Sequence, residues 1–203
     1  MVVIVDYGMG NLGSVFNMFK KVGVEAKISS NLEEISNASK ILLPGVGAFD
    51  TAMKRINDSG MIEVLNQKAL VEKVPVLGIC LGMQLLTEGS EEGVLPGLSW
   101  IKGKTYSFKG RIEEKLKIPH MGWNDVQISK QTALTGDYSD EIRFYFVHSY
   151  FVIAEDRNHS MMRTKHGVEF DSGIAKENIF GVQFHPEKSH KFGMQLFKNF
   201  AEI

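Results

Sequence analysis

The chain contains a single cysteine, Cys80, set between two glycines in Gly78-Ile79-Cys80-Leu81-Gly82. A cysteine used for acyl chemistry needs a projecting position, a base to take its proton, and donors for the oxyanion that develops during attack. The flanking glycines let the chain turn sharply, as in a nucleophile elbow. Val74 to Ile79 ahead of Cys80 reads as a buried strand and Leu81 to Leu86 after it as a helix. The first turn of such a helix brings partial positive charge and free N–H groups beside the sulfur, and the N–H of Leu81 is placed to hold an oxyanion. A lone cysteine is more often a small core residue, so a catalytic reading depends on partners elsewhere in the chain.

Gly181-Val182-Gln183-Phe184-His185-Pro186-Glu187 supplies them. An apolar, strand-like segment leads to His185, with Val182 and Phe184 sharing one face, and Pro186 closes the strand. The ends of strands are where α/β sheets present chemistry. A carboxylate two residues past the imidazole can accept from one ring nitrogen, leaving the other to take the cysteine's proton. Taken alone, this stretch would pass for a surface His-Pro turn with a solvated glutamate. None of the competing histidines, His120, His148, His159, His166 and His190, has both a strand leading in and a carboxylate at this spacing.

Two glycine-rich turns remain to be placed. Leu42-Leu43-Pro44-Gly45-Val46-Gly47-Ala48-Phe49 ends a strand in a turn able to aim backbone N–H groups at one point, and its glycines allow it to change conformation. An ordinary strand-to-helix turn would use the same residues. Gly8-Met9-Gly10-Asn11-Leu12-Gly13 fits the dinucleotide fingerprint GxGxxG. That fingerprint requires an acidic residue closing the second strand, whereas Glu25-Ala26-Lys27-Ile28-Ser29-Ser30-Asn31 ends in Ser and Asn. Dinucleotide binding is therefore disfavoured.

The elements that must position these groups alternate in the first half. Val2 to Val5 is an apolar run of the kind buried on both faces of a sheet. Leu12 to Val22 has helical spacing, Glu25 to Ser29 and Lys40 to Leu43 read as strands, and about Phe49 to Glu72 reads as helical. This order implies parallel strands with helical crossovers. From Leu98 to Ile153 the β-prone segments crowd together, including Trp100 to Lys102, Arg143 to His148 and Tyr150 to Ile153, and read as hairpins on one edge. Lys191 to Phe200 closes the chain as a helix burying Phe192, Leu196, Phe197 and Phe200. The expected fold class is α/β, a mixed, mostly parallel central sheet flanked by helices, in one domain over residues 1–203. A net charge of −1 argues against nucleic acid or an anionic membrane as the main partner. The start MVVIVDYG has no signal-peptide or membrane-span character, so a cytoplasmic location is expected. One cysteine and scattered histidines support no metal site.

GICLGMQ around Cys80 and FHPE around His185 and Glu187 resemble the nucleophile and base signatures of the class I (triad) glutamine amidotransferases. Residues 6–12 (DYGMGNL), 44–49 (PGVGAF) and 119–124 (PHMGWN) are similar to the glutaminase subunit of imidazole glycerol phosphate synthase, and the likeness runs from Val2 to about Phe200. The resemblance implies a flavodoxin-like fold, no cofactor, and a Cys80-His185-Glu187 triad that hydrolyses glutamine through a thioester. It implies that Gln84, Glu92, Ser149 and Tyr150 hold the glutamine. It also implies that Gly45, Val46 and Gly47 complete an oxyanion hole with Leu81. Asn11, Met121, Trp123 and Lys188 are implied near the interface with a (β/α)₈-barrel partner and the ammonia exit. Gly13 and the tail His190 to Met194 depart from that pattern. Paralogous subunits that supply ammonia for an acetamidino group on bacterial surface sugars share the triad, so the acceptor stays open at this point. A dead binding subunit is disfavoured by the complete triad, and a cysteine protease by Gln84, Glu92 and the MGWN segment.

Overall fold

The computed structural model describes residues 1–136, 138 and 141–203. Its strands are β1 (Val2–Val5), β2 (Ala26–Ser29), β3 (Lys40–Leu43), β4 (Val76–Ile79), β5 (Gly103–Ser107), β6 (His120–Ile128), β7 (Ile142–His148), β8 (Tyr150–Ala154), β9 (Ser160–His166), β10 (Val168–Lys176) and β11 (Ile179–Val182). The α-helices are α1 (Leu12–Lys21), α2 (Leu32–Ser36), α3 (Phe49–Asp58), α4 (Met61–Asn66), α5 (Leu81–Leu85) and α6 (His190–Glu202). The sheet runs β2-β1-β3-β4-β11-β10-β9-β6-β7, and β5 and β8 branch from β10. From β2 to β11 all neighbours are parallel; beyond β11 they are antiparallel.

The run of apolar residues in β1 is explained by its two faces. Val3 and Val5 pack with Phe49, Met53, Ile56 and Leu65 of α3 and α4. Val2 and Ile4 pack with Val15, Phe19, Phe197 and Phe200 of α1 and α6. Every β1 residue is buried, which suits a parallel strand covered by helices on both sides.

Four expectations need correction. The helical stretch from Phe49 is broken at Gly60, whose φ of 72° is left-handed and ends α3; the chain resumes as α4 and then a π-helical turn over Gln67–Val71. Trp100 to Lys102 is not a strand. The Trp100 N–H donates to Leu86 O at 3.0 Å and its indole Nε1 to Asn66 Oδ1 at 2.7 Å, so these residues seal the end of α5. Arg143 to His148 and Tyr150 to Ile153 are strands but do not pair with each other: β7 pairs β6, and β8 pairs β5 and β10. In α6, Leu196, Phe197 and Phe200 are buried, while Phe192 is only partly so.

A buried histidine pair ties β6 to β7. His148 Nδ1 donates to Tyr150 O (2.7 Å), which leaves its Nε2 to accept from His120 Nδ1 (2.9 Å), and His120 Nε2 accepts from Asn124 (3.0 Å). Both rings are satisfied only when neutral. Burial, with the stacked His166 ring nearby, holds His120 down to about 4. Burial outweighs the Tyr150 hydrogen bond and takes His148 down to about 3. Unfolding lets both bind protons, so their contribution is complete above about pH 6.5 and is lost as pH falls toward 4. We expect the thermal midpoint to drop between pH 7 and pH 5, a loss on the order of a few kcal/mol. A flat profile over that window would show that the pair titrates freely.

Candidate active site

Cys80 stands at the turn between β4 and α5 with φ 53° and ψ −107°. A non-glycine residue in this region costs about 1–3 kcal/mol and persists where its surroundings over-determine it. Here the Cys80 N–H donates to Val182 O (2.8 Å), and its carbonyl accepts from Gln84 N (3.2 Å). The flanking glycines serve packing as well as turning. A Cβ on Gly82 would lie 1.8 Å from Leu43 O, and one on Gly78 would lie 2.6 Å from Gly82 O. The elbow is thus pressed onto the backbone of β3, and only glycine fits.

His185 lies three residues beyond β11, with its N–H on Tyr145 O at 2.8 Å. Pro186–Lys188 form a 3-10 turn, and Ser189 Oγ donates to the His185 carbonyl at 2.6 Å. This turn brings Glu187 Oε1 to 2.7 Å from His185 Nδ1, with both side chains 3% exposed. His185 Nε2 is buried and has no hydrogen-bond partner. Burial opposes its protonation, but the facing Cys80 sulfur and Glu187 carboxylate outweigh that and push His185 up to about 10. The arrangement is that of an imidazole oriented from behind by Glu187, whose other nitrogen faces the sulfur and can take and hold the cysteine's proton.

A cavity of about 460 Å³ opens over Cys80, and Val46, Gly47, Leu81, Gln84, Glu92, Ser149 and Tyr150 line it. The structure therefore gathers all four residues expected to hold glutamine around the thiol. Gln183 was not singled out from sequence. It is fully buried, donates to Cys80 Sγ at 3.6 Å and accepts from Gln84 Nε2 at 3.2 Å. A lone polar residue in an apolar strand-like run was the available signal.

The expected oxyanion donors are not assembled. The Leu81 N–H donates to the Gly45 carbonyl at 3.3 Å, so that carbonyl occupies the place an oxyanion would need. The Tyr7 hydroxyl donates to Pro44 O, one residue earlier. The Gly8–Asn11 turn lies against this loop: a Cβ on Gly10, which has φ 108°, would sit 3.4 Å from Gly45 Cα, and one on Gly47 would sit 2.6 Å from the Met9 methyl. The Gly8 carbonyl takes the Arg55 guanidinium. Of the glycines in the GxGxxG match, Gly10 thus serves close packing of two turns and Gly8 meets the Arg55 side chain, while Gly13 has nothing within 4 Å of an added Cβ.

Residues 3–203 match the family described as glutamine amidotransferase class-I. The chain belongs to that family. The amidotransferase is 54% identical over 202 residues to imidazole glycerol phosphate synthase subunit HisH 2 of Methanococcus maripaludis, covering 100% of this chain and 99% of the relative. It is 47% identical over 203 residues to subunit HisH 2 of Pseudomonas aeruginosa, with full coverage of both. Among solved structures it is similar to a glutamine amidotransferase (TM-score 0.75, 16% identity, 100% of both chains). It is also similar to PurLQS from Thermotoga maritima (TM-score 0.73, 18% identity, 99% of this chain and 97% of that one). At those identities the structural likeness speaks for the fold alone.

The residues expected at a partner surface fall on two neighbouring features of the amidotransferase. Met121 and Trp123 share a face of β6 and are 62% and 43% exposed. Trp123 stacks on His190 (ring centroids 5.6 Å) and meets the edge of Tyr145 (6.4 Å), over which Lys188 Nζ lies at 5.8 Å. Tyr145 was not named from sequence, because only the β6–β7 register brings it opposite Trp123; His190, named only as a competing histidine and as part of the divergent tail, reaches Trp123 from the start of α6. Asn11 is exposed and caps α1 by accepting from Ser14 N at 3.4 Å. No helix among the described residues is long and apolar enough to cross a membrane.

Proposed function

We propose that the chain is the glutaminase subunit of an imidazole glycerol phosphate synthase. It would release ammonia from glutamine on Cys80 and pass it to a (β/α)₈-barrel cyclase subunit that forms imidazole glycerol phosphate and AICAR. The observation that carries this is the His185–Glu187 contact of 2.7 Å behind an elbow cysteine that opens on Gln84 and Glu92. The Cys80 sulfur attacks the side-chain amide carbon, and as the C–N bond breaks His185 gives a proton to the leaving nitrogen, which departs as ammonia. Water then attacks the γ-glutamyl thioester with its proton passing to His185, and the thiol is regenerated as glutamate leaves. Glu187 holds the imidazole in one tautomer throughout.

Ammonia in neutral water becomes ammonium, which has no lone pair, so a closed route to a second subunit is required. Rotation of the Gly45–Val46 peptide would withdraw the Gly45 carbonyl, free the Leu81 N–H and add the N–H of Val46. This loop touches the turn that carries Asn11, so a partner seated on Asn11, Met121, Trp123 and Lys188 is well placed to drive it.

The test is glutamate release from glutamine by the chain alone, with its barrel subunit, and with barrel plus the histidine-pathway ribonucleotide. Cys80→Ala serves as the blank. We expect Cys80-dependent stimulation on the order of tenfold to a hundredfold. The second reading, ammonia supply for an acetamidino sugar, is favoured by two departures near the Asn11 turn and Trp123. Gly13 has open space around its Cα, and His190 occupies the face of Trp123. A barrel that binds, with no response to the ribonucleotide, would select that reading.

A further inference from the structure

The loop that carries Glu92 is clasped from two adjacent residues at the start of α3. The N–H of Phe49 donates to Glu92 Oε2 at 2.9 Å. The carboxylate of Asp50 accepts in return from the Val94 N–H (3.1 and 3.0 Å to its two oxygens) and the Leu95 N–H (3.0 Å). Gly93 lets the two sides of this clasp close, since a Cβ there would lie 1.9 Å from Asp50 Oδ1. Glu92 is on the cavity wall and Asp50 is not.

We propose that Asp50 is a positioning residue for the α-ammonium group of glutamine, acting through Glu92. This rests on the reading of Glu92 as a glutamine-binding residue. A carboxylate receives a cation well only if it is held in place beforehand; otherwise ordering the loop subtracts from the binding energy. Glu92 has one bond of its own to α3, from Phe49. What fixes the chain on its far side is the pair of N–H groups that Asp50 accepts. The ends of the loop have other anchors, Glu91 N on Thr105 O (2.9 Å) and Gly97 N on Glu88 O (3.0 Å), so removing Asp50 loosens the tip that bears Glu92 and leaves the fold intact. The same clasp attaches this tip to the first turn of α3, just after the Gly45–Ala48 loop.

The experiment uses the full chain and two covalent probes of Cys80, the chloromethyl ketone analogue of glutamine and the same reagent without its α-amino group. In Asp50→Ala, the concentration giving half-maximal labelling rate by the glutamine analogue is expected to rise about tenfold, with the limiting rate unchanged. The deaminated reagent should label wild type and variant alike. A role confined to stability or to the oxyanion loop would move both reagents equally, and that outcome overturns the proposal, as does an unchanged half-maximal concentration for the glutamine analogue. Glu92→Gln is the control. If it too leaves the glutamine analogue unaffected, the reading of Glu92 has failed and carries this proposal with it. If Glu92→Gln weakens the analogue and Asp50→Ala does not, the proposal alone has failed.

Discussion

Glutamate release should fall by about 10²- to 10⁴-fold when His185 is replaced by alanine, the range over which a positioned acid–base group contributes. The expectation follows from the placement of Nε2, which is buried, free of any hydrogen bond and facing the Cys80 sulfur, while Nδ1 is held by Glu187. Glu187→Gln should do less damage, because an amide oxygen still accepts from Nδ1–H although it no longer favours the imidazolium. The decisive case is the double variant. If Glu187 acts only through the imidazole, then adding Glu187→Ala to His185→Ala should cost little more than His185→Ala alone, as groups that work as a unit are not additive. Losses that multiply would show that Glu187 has a separate task and that the triad is misassigned.

The second large effect is on stability. Gly82→Ala would place a methyl 1.8 Å from Leu43 O and 2.8 Å from Leu43 C, both backbone atoms at the buried end of β3. Neither can move without separating α5 from β3, so we expect a loss beyond about 3 kcal/mol and a thermal midpoint lower by about 10 °C, or no folded protein at all. Gly13→Ala is the matched comparison. It lies in the first turn of α1 with nothing within 4 Å of the added methyl, and should stabilise by up to about 1 kcal/mol. Equal effects at the two positions, followed by chemical denaturation, would refute the packing argument for the elbow.

What could be read from the sequence divides along physical lines. The parallel half was legible because buried strands and crossover helices leave unmixed local patterns, as Val2 to Val5 and Leu12 to Val22 do. The elbow and the His-Pro-Glu turn were legible because their geometry is set by neighbours in the chain. The antiparallel half was poorly legible. β10 contains the buried Asp171 and Ser172, which look solvent-bound in sequence but are satisfied across strands by Ala154 N, Ser160 Oγ and Thr164 Oγ1. Gln183 escaped notice because its partner Cys80 is 103 residues away in the chain, and Tyr7 because its acceptor is the Pro44 carbonyl on another strand end. Val46, Gly47 and Leu81, expected among the oxyanion donors, do line the cavity over Cys80, yet no sequence pattern says which way the Gly45 carbonyl points.

That carbonyl has a consequence for the cell's economy of nitrogen. If a partner must withdraw that carbonyl, as proposed, a subunit whose Leu81 N–H is engaged by Gly45 O would turn over little glutamine on its own, however many copies are made. Its gene could then be expressed in surplus over that of its partner without draining the glutamine pool or raising free ammonium. Matching the two subunits in number becomes a matter of synthesis effort alone, and the scarcer protein sets the flux.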